Sequence, residues 1–239
     1  MFTILNAKKM SPNVKLLEIE APLIARKAQP GQFIVLRIDE HGERIPLTIA
    51  DYDADKGSVT IIFQEVGKTT KQLSTLGVGD QLLNFVGPMG TPSDIENIER
   101  AIVIGGGLGK AIAYPQAKAL HQNGASVDTI VGFKNQDYVF FEDELKACSD
   151  NLYIATDDGS YGEKGFVTDI LKRLLDDGNK YEVCIAIGPL IMMKVVSNLT
   201  KQYNLKTIVS MNPIMIDGTG MCGCCRVTVG GETKFACVD

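Results

Sequence analysis

Along residues 1–97 short apolar-rich runs are each bounded by turns rich in Pro, Gly or Asp. FTILNAKKM, VKLLEIEA, QFIVLRID, LTIADYD and SVTIIFQEV carry the pattern, and QLLNFVG follows the turn GVGD. Short runs of this kind between turns predict strands, most economically assembled as a small antiparallel barrel. Between the last two strands, KTTKQLSTL has helical spacing instead. From about residue 98 the rhythm changes. The apolar AIVIGG leads through a glycine turn into the helical GKAIAYPQAKALHQ, and SVDTIVGF, NLYIATDD, EVCIAIG and KTIVSM alternate with the helical FEDELKACS, FVTDILKRLLDD and LIMMKVVSNLTKQ. Buried strands alternating with helices predict a doubly wound parallel sheet. The linker TPSDIENIER, with Pro and mixed charges, marks the boundary between them. The expected organisation is therefore β plus α/β: a barrel over 1–97, an α/β domain over 98–210, and a glycine- and cysteine-rich segment over 211–239.

Composition adds mostly exclusions. With 45% hydrophobic and 22% charged residues in 239, the chain can bury a core in two domains. A net charge of −5 without a Lys/Arg cluster speaks against nucleic acid or an anionic membrane as partner. No apolar run reaches the roughly 18 residues of a membrane span, and MFTILNAKKM lacks the pattern of a signal peptide. With unpaired thiols, this points to a reducing cytoplasm.

Three stretches carry chemistry. Four of the six cysteines lie between Cys222 and Cys237, among glycines 218, 220, 223, 230 and 231. Asp217-x4-Cys222-x2-Cys225-x11-Cys237 repeats the C-x4-C-x2-C run of plant-type iron-sulfur loops with a carboxylate in the first position. A carboxylate is also a monoanion that binds ferric iron, and glycines let backbone amides turn inward toward sulfide. A Cys3Asp zinc site is the alternative, although structural zinc sites usually pair two short cysteine knuckles and this chain has one. Cys222, Cys224 and Cys225 stand too close together to bridge separate elements as disulfides, and Cys224, between candidate ligands, is expected to point away. Cys148 and Cys184 read as core thiols, and His41 and His121 as solvated. The second stretch is Gly105, Gly106, Gly107 and Gly109, after a buried strand and before a helix, where backbone amides can face a pyrophosphate. The full GxGxxG is absent, because Lys110 takes the third glycine's place, and a tight packing turn would look the same. The third is Arg44-Ile45-Pro46-Leu47-Thr48, followed by Gly67-Lys68-Thr69-Thr70: a strand bearing a hydroxyl, then a glycine/hydroxyl turn heading a helix. Such groups suit a flavin ring edge and its pyrophosphate, and equally an ordinary helix cap.

Taken in order, barrel, doubly wound domain and cysteine loop resemble the ferredoxin reductase-like flavoprotein family over the whole chain. ERIPLTIAD (43–51), GKTTKQL (67–73), GGGLG (105–109), ATDDGSYGEKGFVTD (155–169), AIGP with the following MM (186–193) and DGTGMCGCCRV (217–227) carry the likeness. Within the family the chain is most similar to small subunits of NADH-dependent ferredoxin:NADP oxidoreductases, also called sulfide dehydrogenase subunits. Electron transfer subunits of dihydroorotate dehydrogenase come next, since they usually place Cys where this chain has Asp217.

The resemblance implies FAD, NAD(H) and a [2Fe-2S] cluster as cofactors. Pro46, Leu47 and Thr48 would line the flavin ring, with Arg44, Gly67, Thr69 and Thr70 at its pyrophosphate. Gly106, Gly107 and Gly109 would approach the NAD(H) pyrophosphate, Asp157, Asp158 and Gly159 would border the nucleotide pocket, and Gly188, Pro189 and Met192 would flank the nicotinamide. Asp217, Cys222, Cys225 and Cys237 would bind the cluster. Hydride transfer through such cofactors requires no side-chain acid, base or nucleophile, so no catalytic residue is assigned. A larger flavin and iron-sulfur subunit, and ferredoxin through it, are the implied partners. Departures are Ile45 where the family often has Arg, with Arg44 one position earlier on the opposite strand face; Lys110 for a small or apolar residue; and Ile187 for a cysteine before Gly-Pro. Relatives also continue beyond the fourth ligand, where this chain stops at Asp239. A zinc-stabilised nucleotide binder without redox activity and a stand-alone reductase of a small acceptor remain the other readings.

Overall fold

The computed structural model describes residues 1–239, which divide into two compact units, Met1–Ser93 with Met211–Asp239, and Asp94–Ser210. In the first unit β1 (Phe2–Ser11), β2 (Val14–Glu20), the short helix α1 (Pro22–Ala25), β3 (Phe33–Arg37), β4 (Ile45–Asp53), β5 (Ser58–Gln64), α2 (Lys68–Thr75), β6 (Gln81–Leu82) and β7 (Asn84–Met89) follow one another. The strands form one sheet in the order β6-β1-β2-β5-β4-β3-β7, every pairing antiparallel. QLLNFVG, expected as one strand, is two. Leu83 between them donates its N–H to the Ile38 carbonyl at 3.0 Å. Because β6 and β7 are neighbours in sequence but lie at opposite edges of the sheet, the sheet curls into a nearly closed barrel. Leu17, Ile19, Ile34, Leu36, Ile61 and Phe63, the inward-facing residues of these strands, fill it.

The second unit runs β8 (Arg100–Gly106), α3 (Gly109–Gln122), β9 (Ser126–Phe133), α4 (Glu142–Lys146), β10 (Asn151–Thr156), β11 (Glu163–Lys164), α5 (Val167–Asp176), β12 (Val183–Ile187), α6 (Leu190–Gln202) and β13 (Lys206–Val209). All pairings in the sheet β11-β10-β9-β8-β12-β13 are parallel. The sheet is buried on both faces: Ala113, Ala117 and Leu120 of α3 cover one, and Leu171 of α5 with Val196 of α6 the other. That is why its strands read as continuous apolar runs. No helix is long and apolar enough to cross a membrane.

Where these strands begin, one carboxylate holds four elements. Asp128, 2% exposed, accepts from Asn151 Nδ2 at 2.8 Å and Tyr181 Oη at 2.6 Å and lies 3.5 Å from the Arg100 guanidinium. Asp128→Ala leaves Asn151 and Tyr181 without their acceptor and Arg100 without its carboxylate, and is expected to lower stability by about 2–4 kcal/mol in denaturant titrations. Asp128→Asn, which keeps an acceptor, should lose less.

After β13 the chain returns to the first unit and ends in a hairpin of β14 (Arg226–Val229) and β15 (Glu232–Phe235). Its turn, Gly230-Gly231, has φ of 60° and 88°, both left-handed as a two-residue hairpin turn demands.

Candidate nucleotide, flavin and cluster sites

In the α/β unit, a cavity of about 570 Å³ opens at the C-terminal ends of the strands, lined by Gly106, Gly107, Phe133, Asp157, Phe166 and Met192 among others. Ligands of doubly wound sheets bind at this edge, beside the strand where the order reverses, here β8. The glycine turn is shaped by close approach. A Cβ on Gly106 would stand 2.2 Å from Met192 Sδ, and one on Gly109 would stand 2.2 Å from the Ile187 carbonyl oxygen. Gly107 has φ +58° and open space where its Cβ would be, so its backbone is bare toward the cavity. Of the residues expected from sequence, Gly106, Gly107, Asp157, Pro189 and Met192 line the cavity. Gly109 and Gly188 lie behind it as packing positions. Asp158 instead accepts from the Ser160 N–H at 2.9 Å and Oγ at 2.6 Å, closing a turn through Gly159 at φ +78°. Phe133, Lys134, Phe166 and Ile191 also line the cavity. Their signals in the sequence were weak: Phe133 ends a strand beside the glycine turn, and Phe166 and Ile191 are apolar residues at helix starts, left 65% and 68% exposed.

In the barrel unit, register decides which side chains face outward. Ile45 pairs with Leu36 and Leu47 with Ile34, and all four belong to the interior. Pro46 pairs with Val35 and Thr48 with Phe33, which lie on the outer face, and cross-strand partners share a face. Pro46 and Thr48 therefore face outward, whereas the Leu47 side chain packs inward and only its backbone is left to face a ring. Arg44 lines a cavity of about 320 Å³ on the outer side with Val35, Asn84, Met89, Asp217 and Thr219. At the head of α2, Thr70 Oγ1 accepts from the N–H of Gly67 at 3.0 Å and of Val66 at 3.1 Å. Buried Thr69 donates to Glu43 Oε2 at 3.3 Å, which ties the helix start to the segment before β4. A Cβ on Gly67 would meet nothing within 4 Å, so its backbone is open to a ligand. Glu43 was not legible as a site residue.

The cysteine segment seats on the same outer face. Cys225 and Cys237, both 1% exposed, pack with Phe33, Val35, Met89 and Phe235, their sulfurs 3.2 Å apart as free thiols. Burial pushes the Cys237 thiol up to about 11, so ligation by this sulfur must release a proton. Asp217 accepts the N–H of Thr219 and of Cys222, each at 2.8 Å; the Thr219 amide first, then Cys222, hold its carboxyl below the usual range. Cys222 and Cys224 are exposed. The structure thus brings together Cys225 with Cys237, and Asp217 with the backbone of Cys222, while no three candidate ligand side chains converge on one point. The donor set fits a cluster in chemistry: soft sulfurs, one hard carboxylate, and glycines 218, 220 and 223 at φ of 75°, 84° and 65° that free the backbone to wrap it.

Residues 212–239 match the iron-sulfur cluster binding domain of dihydroorotate dehydrogenase B. The chain is 48% identical to a dihydroorotate dehydrogenase B (NAD(+)) electron transfer subunit homologue of Thermotoga maritima, over 92% of this chain and 78% of that one. It is 35% identical to the corresponding electron transfer subunit of Shouchella clausii, over 93% and 87%. A solved structure of an NADH-dependent reduced ferredoxin-NADP oxidoreductase, studied for flavin-based electron bifurcation, superposes with a TM-score of 0.95 at 45% identity, covering all of this chain and 86% of that one. With identity of this extent over most of both chains, on a barrel, a nucleotide-type α/β unit and a cysteine loop, the protein belongs to the family of dihydroorotate dehydrogenase B electron transfer subunits and their homologues, flavin and iron-sulfur oxidoreductase subunits that carry electrons.

Proposed function

We propose that this chain takes electrons from NAD(H) and delivers them singly to a larger partner subunit, as in an NADH-dependent ferredoxin:NADP oxidoreductase. One observation supports this above the others: the flavin-type strand and the cysteine loop sit on one outer barrel face, with Arg44 and Asp217 lining the same cavity. Bound FAD would supply the exchange between a hydride's electron pair and single electrons, and a [2Fe-2S] cluster single-electron acceptance. The chain's own residues would hold and place these groups. In this reading the barrel, 1–97, presents Pro46, Thr48 and the Leu47 backbone to the flavin ring, and Arg44, Gly67, Thr69 and Thr70 to its pyrophosphate. The α/β part, 98–210, receives NAD(H) over Gly106 and Gly107, with Gly109 and Gly188 keeping the turn close. Asp157 shapes one wall, with Asp158 and Gly159 in the adjoining turn, and Pro189 with Met192 the other. The segment 211–239 supplies Asp217, Cys222, Cys225 and Cys237 as ligands.

Asp217 in the first ligand position favours the ferredoxin:NADP type over a dihydroorotate dehydrogenase subunit. A second, larger flavin and iron-sulfur subunit then receives the electrons, with ferredoxin reached through it, in the cytoplasm. Purification from the native source tests this. A co-purifying larger subunit, with NADH-dependent ferredoxin reduction that requires NADP, is the expected result. A monomer fully active alone, or a partner that oxidises dihydroorotate, would refute it.

A further inference from the structure

Lys110 is the charged side chain that the nucleotide reading leaves unused. It stands in the first turn of α3, directly after the glycine turn, and is 2% exposed. Its backbone is pinned, because the space for a Cβ on Gly105 ends 2.6 Å away at Lys110 Cα. The ammonium lies 3.7 Å from the ring centre of Phe133 and 4.0 Å from that of Phe140, and donates to the Tyr138 carbonyl oxygen at 2.7 Å. No carboxylate pairs with it. On the elements around it, Lys134 and Asp137 lie between Phe133 and Tyr138, Glu142, Asp143 and Glu144 begin α4, and Asp157 stands on the cavity wall. Glu142 is engaged by Lys146 and Tyr161, and α3 itself adds only Lys118 and His121. None of these sets the amine's behaviour; burial alone lowers Lys110 to about 6.

The box is poised between two states. Two ring faces and a carbonyl dipole favour the ammonium, loss of hydration favours the amine, and no fixed anion decides between them. Phe133 is shared with the nucleotide cavity, which is lined by Gly106 and Gly107, four and three residues before Lys110. An anion over that turn is a charge the box lacks.

We propose that Lys110 is a proton-linked positioning residue: it takes up a proton from solvent when the pyrophosphate of a dinucleotide settles over Gly106 and Gly107, and returns it when the dinucleotide leaves. This rests on the nucleotide reading above and adds a coupling to it. The anion favours the ammonium, so the amine's proton affinity is higher in the bound state than in the free one. By linkage, nucleotide binding is then tightest below the free-state value near 6, where Lys110 is charged in both states, and weakens as pH rises above it. The charged amine in turn clasps the Tyr138 carbonyl and the Phe133 ring more firmly, setting the cavity wall.

The test is calorimetric titration of NAD+ into the flavin-loaded protein at pH 6, 7 and 8, in buffers of different ionisation enthalpy. Expected for the native chain are uptake of roughly half a proton per NAD+ at pH 7 and an affinity about fivefold or more weaker at pH 8 than at pH 6. Lys110→Met, which keeps an apolar chain of similar length between the rings, should show no uptake and a flat profile. The native titrations stand alone if that variant does not fold. Binding without proton uptake, or with uptake unchanged in Lys110→Met, overturns the coupling while leaving the nucleotide reading intact. Absence of NAD+ binding at every pH overturns both.

Discussion

Cys225→Ser is expected to yield protein that loses its iron and keeps its flavin. The sulfur is 1% exposed, packed against Phe33, Val35 and Met89, and paired at 3.2 Å with Cys237. A serine hydroxyl there does not ionise near neutrality and is a poor ligand for iron. It also introduces a buried polar group among apolar neighbours, costing about 1–3 kcal/mol if unpartnered. The strand β4, proposed to face the flavin, is held by its own register with β3 and β5, so the loss should stay in the loop. Iron analysis with the visible spectrum checks this, and Cys237→Ser should behave alike. Cys224→Ser, at an exposed position between the candidate ligands, should retain iron. Iron loss on Cys224→Ser with iron kept on Cys225→Ser would reassign the ligand set.

The second large effect is expected at Gly109. A methyl there would sit 2.2 Å from the Ile187 oxygen and 2.6 Å from its carbonyl carbon. Both are backbone atoms of β12, which is bonded into the sheet through β8 and β13. No side-chain rotation relieves that contact, so Gly109→Ala must push α3 off the sheet, at a cost of about 3 kcal/mol or more, and displace the amides that floor the cavity. Denaturant titration and NAD+ binding should both show the loss. Gly106→Ala is the informative contrast. Its methyl meets Met192 Sδ, at 2.2 Å, the far part of a flexible side chain, so the double variant with Met192→Ala should recover most of the stability. Equal damage at both glycines, unrelieved by the Met192 change, would show that the turn is not shaped by these contacts.

Much of the fold was legible because the rhythm of runs and turns changes between the two parts of the chain. Short runs bounded by Pro, Gly or Asp turns gave the barrel strands. Continuous runs gave β8, β9, β10 and β12, since both faces are covered. What escaped were short elements with little apolar signal: α1, the two-residue strand β11, and the hairpin of β14 and β15. The division of QLLNFVG was equally hidden, because it depends on which edge each half reaches. In the site, spacing revealed the kinds of donors at Asp217, Cys222, Cys225 and Cys237 but not which of them meet. The Cys225–Cys237 approach depends on a hairpin turning at Gly230-Gly231, and the Asp217 contacts are to backbone amides that carry no sequence signal. Strand register, unknown in advance, turned Leu47 inward and left Pro46 and Thr48 on the outer face. Phe133 and Lys110 read as a strand end and a helix residue; only packing shows them meeting at 3.7 Å.

The proposed electron path depends on iron and flavin both being held at the outer barrel face. The most direct measurement is iron, zinc and acid-labile sulfide content of the anaerobically purified chain, with its visible spectrum before and after NADH. Iron and sulfide in equal amounts, with flavin, and visible absorbance that bleaches on NADH addition are the predicted result. A colourless protein that carries zinc and no iron, and does not change with NADH, would contradict it.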